Sequence, residues 1–336
     1  MDVVLPKLER QLPVRWAHVM RLPEDSRNSN HSLYICDKLK NFNYFKTHKM
    51  EKLLQWSIAH QSGDKEAIEK VGAPDPKMLE QLFGGADEPT LMKQAMMVVG
   101  NKDATDEDKL TALDNFEMLI ENLDNANNIE NLGLWQGIID VLTSESNVDL
   151  QVQAASIIGV ATQNNPKSQQ DFNKYPHGLE RLISLCTNQS TSQPLLLKCL
   201  FAIACFVRNF EPGYQSFTKN NGWDILKLKS PSDDKLNMRI LSLTSALFST
   251  GLDDEKVSLI QKYDVLDFVS SILTKDGHTG CIDKCLNIVN QLHQLNFQFN
   301  QAELLQLQQG LHNVEHLQEH LHPEDLAASK AIAGCK

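Results

Sequence analysis

The 336-residue sequence lacks the motifs that many enzymes acting on phosphorylated or acylated substrates carry. Neither GxGxxG nor GxxxxGK[ST] occurs, and the only adjacent glycines are Gly84 and Gly85, so no glycine-rich phosphate loop is predicted. The GxSxG motif of serine hydrolases is missing as well. These absences favour a protein that acts by binding another protein, with no catalytic residues and no cofactor.

Long apolar runs, positive charge and paired cysteines are also scarce. No run of about 18 apolar residues occurs, so no membrane helix is predicted. The net charge of −11 argues against nucleic acid as a ligand, because Lys and Arg would have to replace the counterions of phosphates. The seven cysteines are odd in number and form no CxxC pair, which is typical of reduced thiols in the cytosol or nucleus.

Two patterns resemble metal sites. His312, Glu315 and His316 form an HxxEH sequence, which a zinc hydrolase would use, but it stands near the chain end in a Gln/Leu/His-rich helix. A solvated helix face is the favoured interpretation. Cys281 and Cys285 are four residues apart, and buried structural thiols are favoured there. No metal is therefore predicted.

Residues 1–49 differ from the rest of the chain. They hold nine Lys and Arg against five Asp and Glu, and Pro6, Pro13 and Pro23 interrupt any helical pattern. The segment is either a disordered tail or a non-native extension ahead of a true start at Met50, and the second interpretation is favoured for a reason given below.

A repeated pattern dominates residues 147–230. Equivalent landmarks are separated by 45, 45 and 44 residues, and they are Asn164 with Asn209, Phe172 with Phe217, and Gly178 with Gly222. A period of about 40–47 residues is typical of armadillo and HEAT repeats. The order of a short helix, a second helix and a long third helix resembles the armadillo unit. The sequence thus predicts an all-α, armadillo-like right-handed solenoid of about four repeats. The resemblance to armadillo units implies that the third helices line the concave side.

Local signals support this prediction. Thr105 with Asp108 three residues later predicts a capped helix start. Gly100 is expected to end the preceding helix in a left-handed turn. Gly178 and Gly222 are expected where one helix reverses into the next.

The chain divides into four predicted segments. They are the extension 1–49, a flexible N-terminal segment 50–92, the armadillo domain 93–297, and a C-terminal helical cap and tail 298–336. Within the second segment, Leu53, Leu54, Trp56 and Ile58 form an apolar pattern that fits either a capping helix or a binding motif.

Asparagine makes up five of the eleven residues from Glu121 to Asn131. Local capping in a turn explains some of them. A polar contact surface explains the density better, and it is the favoured interpretation.

Several stretches together resemble the Fes-type nucleotide exchange factors of fungi, which are relatives of the human heat-shock-protein-binding protein. The stretches are MEKLLQWSIA, PDPKMLEQLFGG, EPTLMK and DNFEMLIENLDNANNIENL. The resemblance implies an armadillo domain that binds the nucleotide-binding domain of cytosolic and ribosome-associated 70-kDa heat-shock chaperones. It implies ADP release, then client release, with an influence on protein folding and translation, by a cytoplasmic monomer that binds neither nucleic acid nor membrane. Members of the family begin at the position of Met50, which is the reason for treating residues 1–49 as an extension.

The same resemblance implies the partner-binding residues. Ala126 and Arg239 match the family's contact surface, and Asn125, Asn127 and Arg208 are expected on it too. Ala126 is expected in an exposed polar turn, where its small side chain would permit the close approach of a partner. Leu53, Leu54, Trp56 and Ile58 match the family's client-release segment. An armadillo adaptor for cargo peptides is the main alternative, but it would carry Trp on its third helices, whereas Trp135 and Trp223 are expected in second helices.

Overall fold

The fold consists of helices that follow one another in short steps. A computed structural model describes residues 87–144, 147–229 and 233–335, and within these ranges there is no β-strand. The helices are α1 (Glu88–Gly100), α2 (Asp106–Ile120), α3 (Leu123–Asn131), α4 (Trp135–Ser144), α5 (Val148–Thr162), α6 (Pro166–Phe172), α7 (Pro176–Thr187), α8 (Gln193–Val207), α9 (Glu211–Lys219), α10 (Asp234–Phe248), α11 (Asp254–Lys262), α12 (Val265–Ile272), α13 (Thr279–Gln294), α14 (Gln301–Asn313) and α15 (Pro323–Ile332), with 3₁₀ helices at Gly222–Leu228 and Glu315–His320.

Four three-helix repeats can be recognised in this order. They are α3–α4–α5, α6–α7–α8, α9 with the 3₁₀ helix Gly222–Leu228 and α10, and α11–α12–α13. The third helices pack on one another in sequence, with α5 against α8, α8 against α10, and α10 against α13. Helix α2 packs against α5 in the same way, so it occupies the position of a preceding third helix. The predicted all-α armadillo-like solenoid is confirmed, and Trp135 and Trp223 lie in second helices as expected.

The two ends extend this stack. Helix α1 spans the predicted division between residues 92 and 93, and it packs against α2 in a unit that runs from Ala86 to Lys336. At the other end, α15 packs on α13, and α14 packs on α12.

Aromatic side chains pack in the core both between and within repeats. The rings of Trp135 in the first repeat and Phe172 in the second lie 5.4 Å apart between centroids, and those of Phe172 and Phe206, both in the second repeat, lie 5.1 Å apart. All three side chains are buried. Since a single repeat leaves one apolar face uncovered, contacts of this kind between repeats hold the stack together.

The helix boundaries confirm one capping prediction and correct another. Thr105 Oγ1 accepts a hydrogen bond from the Asp108 amide at 3.2 Å, and the Asp108 carboxylate accepts one from the Thr105 amide, which completes a capping box. Helix α1 does end at Gly100, but the next residue, Asn101, is extended with φ −77°, so the predicted left-handed turn is wrong.

Asparagine takes the left-handed positions instead. Asn164, Asn209 and Asn296 have φ of 51°, 54° and 61°, and each follows the end of a third helix. Asparagine tolerates this conformation better than most residues because its short polar side chain can bond locally. Asparagine therefore turns the chain after three of the four third helices, and Gly251, with φ 91°, takes this position after α10.

The turn role predicted for Gly178 and Gly222 is wrong, because neither has a positive φ. Each instead provides room for the phenylalanine of the preceding first helix. A Cβ at Gly178 would lie 2.9 Å from the Phe172 ring, and one at Gly222 would lie 2.3 Å from the Phe217 ring. The matched Phe and Gly landmarks of the sequence are thus packing partners.

We expect Gly222→Ala to lower the free energy of unfolding by about 1–3 kcal/mol, since the buried Phe217 ring must move to admit the methyl group. Gly100→Ala is the matched control, because a Cβ there meets nothing within 4 Å, and its effect should stay within about 1 kcal/mol. Urea unfolding followed by circular dichroism measures both. Equal stabilities for the two variants would contradict this packing role.

Candidate functional site

A row of polar contacts runs across the third helices at the start of the solenoid. Gln153 Nε2 of α5 donates to Glu117 Oε2 of α2 at 2.6 Å, and Ser156 Oγ donates to Glu117 Oε1 at 2.8 Å. Lys198 Nζ of α8 then donates to Ser156 Oγ at 2.8 Å. Three successive third helices are therefore linked side chain to side chain along one face.

The row continues through an aromatic ring. Two cations lie over the Phe201 ring of α8, with Lys198 Nζ 5.9 Å and the Arg239 guanidinium carbon 5.2 Å from its centroid. Gly159 makes this position possible, since a Cβ there would lie 2.4 Å from the Phe201 ring. The cation–π contact holds the Arg239 guanidinium near the Phe201 ring.

Arg208 lies close to Arg239. It caps the end of α8, and its Nη2 donates to the Ser242 carbonyl of α10 at 3.1 Å. Burial lowers the pKa of Arg208. Burial also raises the pKa of the Cys205 thiol to about 11, against the pull of the positive charges of Arg208 and Arg239. The structure thus brings Arg208 and Arg239 together around Cys205.

A cavity of about 380 Å³ opens beside Arg239. Leu197, Met238 and His278 line it, together with the charged residues Asp234 and Lys235. A cavity with an apolar lining next to a fixed guanidinium offers a partner one pocket for a side chain and one donor group for an acceptor.

The asparagine block forms helix α3, not the predicted turn. Asn125 and Ala126 are each only 3% exposed. Asn125 Nδ2 donates to Glu88 Oε2 at 2.7 Å and to the Leu119 carbonyl at 2.9 Å, so its amide fastens α3 to α1 and α2. The predicted exposure of Ala126 in a polar turn is therefore wrong.

The rest of this block contacts the next repeat. The carbonyl of Ala126 accepts from Ser168 Oγ at 3.2 Å, and that of Asn127 accepts from Lys167 Nζ at 3.3 Å. Asn127 itself is partly exposed. Since α3 is a first helix, these residues lie on a different element from Arg208 and Arg239, and no hydrogen bond or ring contact among the described residues joins the two groups.

Sequence reasoning missed Phe201 and Lys198. Phe201 stands in a run of apolar residues, where a core position is the ordinary assumption. The available signal was Gly159, which lies 42 residues before Phe201, close to one repeat length. Leu53, Leu54, Trp56 and Ile58 lie outside the described residues.

The two patterns that resemble metal sites differ in burial. His312 Nδ1 lies 3.5 Å from Glu315 Oε2 on the surface, whereas Cys281 and Cys285 are buried, as predicted. Burial raises the pKa of Cys281 to about 11 and that of Cys285 well above its ordinary value. Within residues 87–335 as described, no group of three or more His, Cys, Asp or Glu could hold a metal ion. Nor is any described helix both long and apolar enough to cross a membrane.

We expect Cys281→Ala combined with Cys285→Ala to lower the free energy of unfolding by about 1 kcal/mol per residue through lost packing, without loss of a metal. Cys335→Ala, at a less buried position, is the control and should cost less. Thermal unfolding and elemental analysis of purified protein check this. A stoichiometric metal that disappears in the double variant would refute it.

Comparison with known proteins identifies similar chains. The family model described as nucleotide exchange factor Fes1 matches residues 50–129, and the SIL1/FES1/HPBP1 C-terminal domain matches residues 125–290. The Hsp70 nucleotide exchange factor FES1 of Scheffersomyces stipitis is 55% identical over 283 residues, which cover 84% of this chain and 99% of that protein. Its counterpart from Saccharomyces cerevisiae is 42% identical over 289 residues, covering 84% and 100%.

Among solved structures, a designed armadillo repeat protein in complex with the peptide (KR)4 is similar in fold. Its TM-score is 0.58 at 15% identity, and the match covers 74% of this chain and 99% of that one. At this identity the likeness concerns the fold alone.

Proposed function

The chain belongs to the Fes1 family of nucleotide exchange factors, and we propose from this premise that it binds the nucleotide-binding domain of an Hsp70 chaperone and promotes the release of ADP. The observation that carries the proposal is the face of the third helices, where Phe201 fixes Arg239 beside Arg208 and an open cavity.

The physical properties of this face suit protein recognition. Arginine presents five N–H donors in a planar fork, and it is enriched among residues that dominate binding energy. A guanidinium already held on an aromatic ring loses less conformational entropy on binding than a free one. The solenoid places these groups on consecutive helices, so a large partner surface can meet them together.

Exchange follows from linkage and needs no contact with the nucleotide. A factor that binds the nucleotide-free chaperone more tightly than the ADP-bound form must weaken ADP binding by the same ratio. The differential contacts would come from the third-helix face, which fits one arrangement of the chaperone better than the other.

The decisive test measures release of a fluorescent ADP analogue from purified Hsp70 with the full chain added. We expect a release rate that rises with the concentration of the chain and then saturates. An identical rate with and without the chain would refute the proposed function.

We assign the site residues of α3 two different roles. Asn127, which is partly exposed, would contact the chaperone. Asn125 and Ala126, which are buried, would act by holding α3 in position.

Client release is a further part of the proposal. Leu53, Leu54, Trp56 and Ile58 would compete with clients for the chaperone, by resemblance to the family's release segment. Replacing Leu53 and Trp56 with serine in the full chain should leave ADP release intact and slow the release of a bound peptide.

The same proposal places the protein in the cytosol as a monomer. There it would act on cytosolic and ribosome-associated chaperones and so influence protein folding and translation.

A further inference from the structure

Lys284 of α13 lies next to the Arg208–Arg239 pair. The packing register shows this, because Cys281 Sγ donates to the Asp234 carbonyl at 3.4 Å and Gln291 Nε2 donates to the Ser245 carbonyl at 3.1 Å. A Cβ at Gly280 would lie 2.9 Å from the Met238 side chain, so residues of α13 lie opposite residues 42 to 47 positions earlier in α10. Lys284 therefore lies opposite the stretch 237–242, which contains Arg239 and ends at Ser242, whose carbonyl accepts a hydrogen bond from Arg208.

The positive charges of Arg208 and Lys284 act on each other. Burial lowers the pKa of Lys284, and the neighbouring charge of Arg208 lowers it further. The negative charge of Asp325 opposes this shift, and its Oδ1 also accepts a hydrogen bond from Asn290 Nδ2 at 2.7 Å. The like charges therefore lie close together with only partial compensation.

The cluster lacks ion pairs within the described ranges. The recorded ion pairs there use Lys167, Lys174, Lys227 and two histidines, and none uses Arg208, Arg239 or Lys284. In a chain of net charge −11, the three cations come from consecutive third-helix regions and have no carboxylate within 4 Å among the described residues, although Asp234 lines the cavity beside Arg239. The opposite end of the same face is acidic, with Asp114 and Glu117 on α2.

We propose that Arg208, Arg239 and Lys284 form a single binding site for a cluster of carboxylates on the chaperone, with Lys284 as its third cation. This inference rests on the proposed function and adds to it the chemistry of the partner surface. Partly buried cations interact with carboxylates more strongly than fully solvated ones, and binding would relieve their mutual repulsion. The acidic end at Asp114 and Glu117 would repel the same surface, which fixes the direction in which the partner binds.

The test replaces Lys284 in the full chain and measures binding to nucleotide-free Hsp70 by biolayer interferometry at two salt concentrations. We expect Lys284→Met to weaken binding about 10-fold and to reduce its salt dependence, and Lys284→Glu to weaken it about 100-fold or more. Lys284→Arg should bind nearly as wild type does, because the charge is kept. Lys219→Met, on an exposed first-helix position, is the control and should change nothing.

The outcomes separate this inference from the proposed function. If the wild-type chain neither binds Hsp70 nor speeds ADP release, the proposed function fails. If the wild type binds and the folded Lys284→Glu variant binds equally well, the carboxylate site is refuted while the proposed function stands. If Lys284→Glu does not fold, the salt dependence of Lys284→Met decides, and a slope equal to that of wild type overturns the inference.

Discussion

Replacing Arg239 with alanine should slow the ADP release that the chain stimulates by about 30-fold or more, which corresponds to the roughly 2 kcal/mol typical of a central interface arginine. The variant loses the donors of the guanidinium and its contact with Phe201. Its fold should persist, because Arg239 is partly exposed and makes no ion pair with the described residues. Stopped-flow measurement of labelled ADP release, with circular dichroism of the same samples, tests both statements.

Two further substitutions make this result specific. Arg239→Lys keeps the charge but loses the planar fork, so it should recover only part of the activity. Arg181→Ala removes an arginine from the second helix α7. In the wild type the Nε of Arg181 donates to the Leu142 carbonyl at 3.3 Å. That variant should lose some stability and keep its exchange activity. A folded Arg239→Ala variant with wild-type activity would remove Arg239 from the interface.

Replacing Ala126 with arginine should have the largest effect on stability, a loss of about 3–5 kcal/mol or complete unfolding. Ala126 is 3% exposed on α3, and the Ser168 hydroxyl of α6 bonds to its carbonyl. A guanidinium would have to enter this contact unpaired or push the helices apart, and an uncompensated buried charge is among the most destabilising changes known. Urea unfolding measures the loss.

Asn127→Arg is the matched variant, because the neighbouring position is partly exposed. It should cost less than about 1 kcal/mol of stability, and any loss of exchange would report a direct contact with the chaperone. An Ala126→Arg protein that melts at the wild-type temperature would show that α3 admits the side chain, contrary to its burial here.

The sequence predicted the repeat because equivalent residues recur at nearly constant intervals, as with Asn164 and Asn209. It predicted the start of α2 because the Thr105–Asp108 box is a local interaction. It misassigned Gly178 and Gly222, since a glycine that admits a phenylalanine ring looks the same in sequence as a glycine that turns the chain. Only the packed structure separates these cases.

The sequence likewise predicted some features of the candidate site and missed others. Arg208 and Arg239 were named from a resemblance, but their shared surroundings depend on how α8 packs against α10. Ala126 was assigned to an exposed turn because its polar neighbours suggested solvent. The side-chain amide of Asn125 instead donates hydrogen bonds to α1 and α2, and these bonds hold α3 against both helices despite its polar composition. Hydropathy alone does not predict the burial of a polar side chain that forms hydrogen bonds inside the protein.

The side-chain bonds between third helices join residues 34 to 47 positions apart, and this narrow range of separations has a consequence for folding. Each such contact closes a chain loop of nearly the same length, so the entropy of closure is nearly the same at every step. Folding can therefore begin at any adjacent pair of repeats and grow in both directions. The ends should open first, and the backbone amides of α8 and α10, which carry Phe201 and Arg239, should be among the slowest to exchange with deuterium.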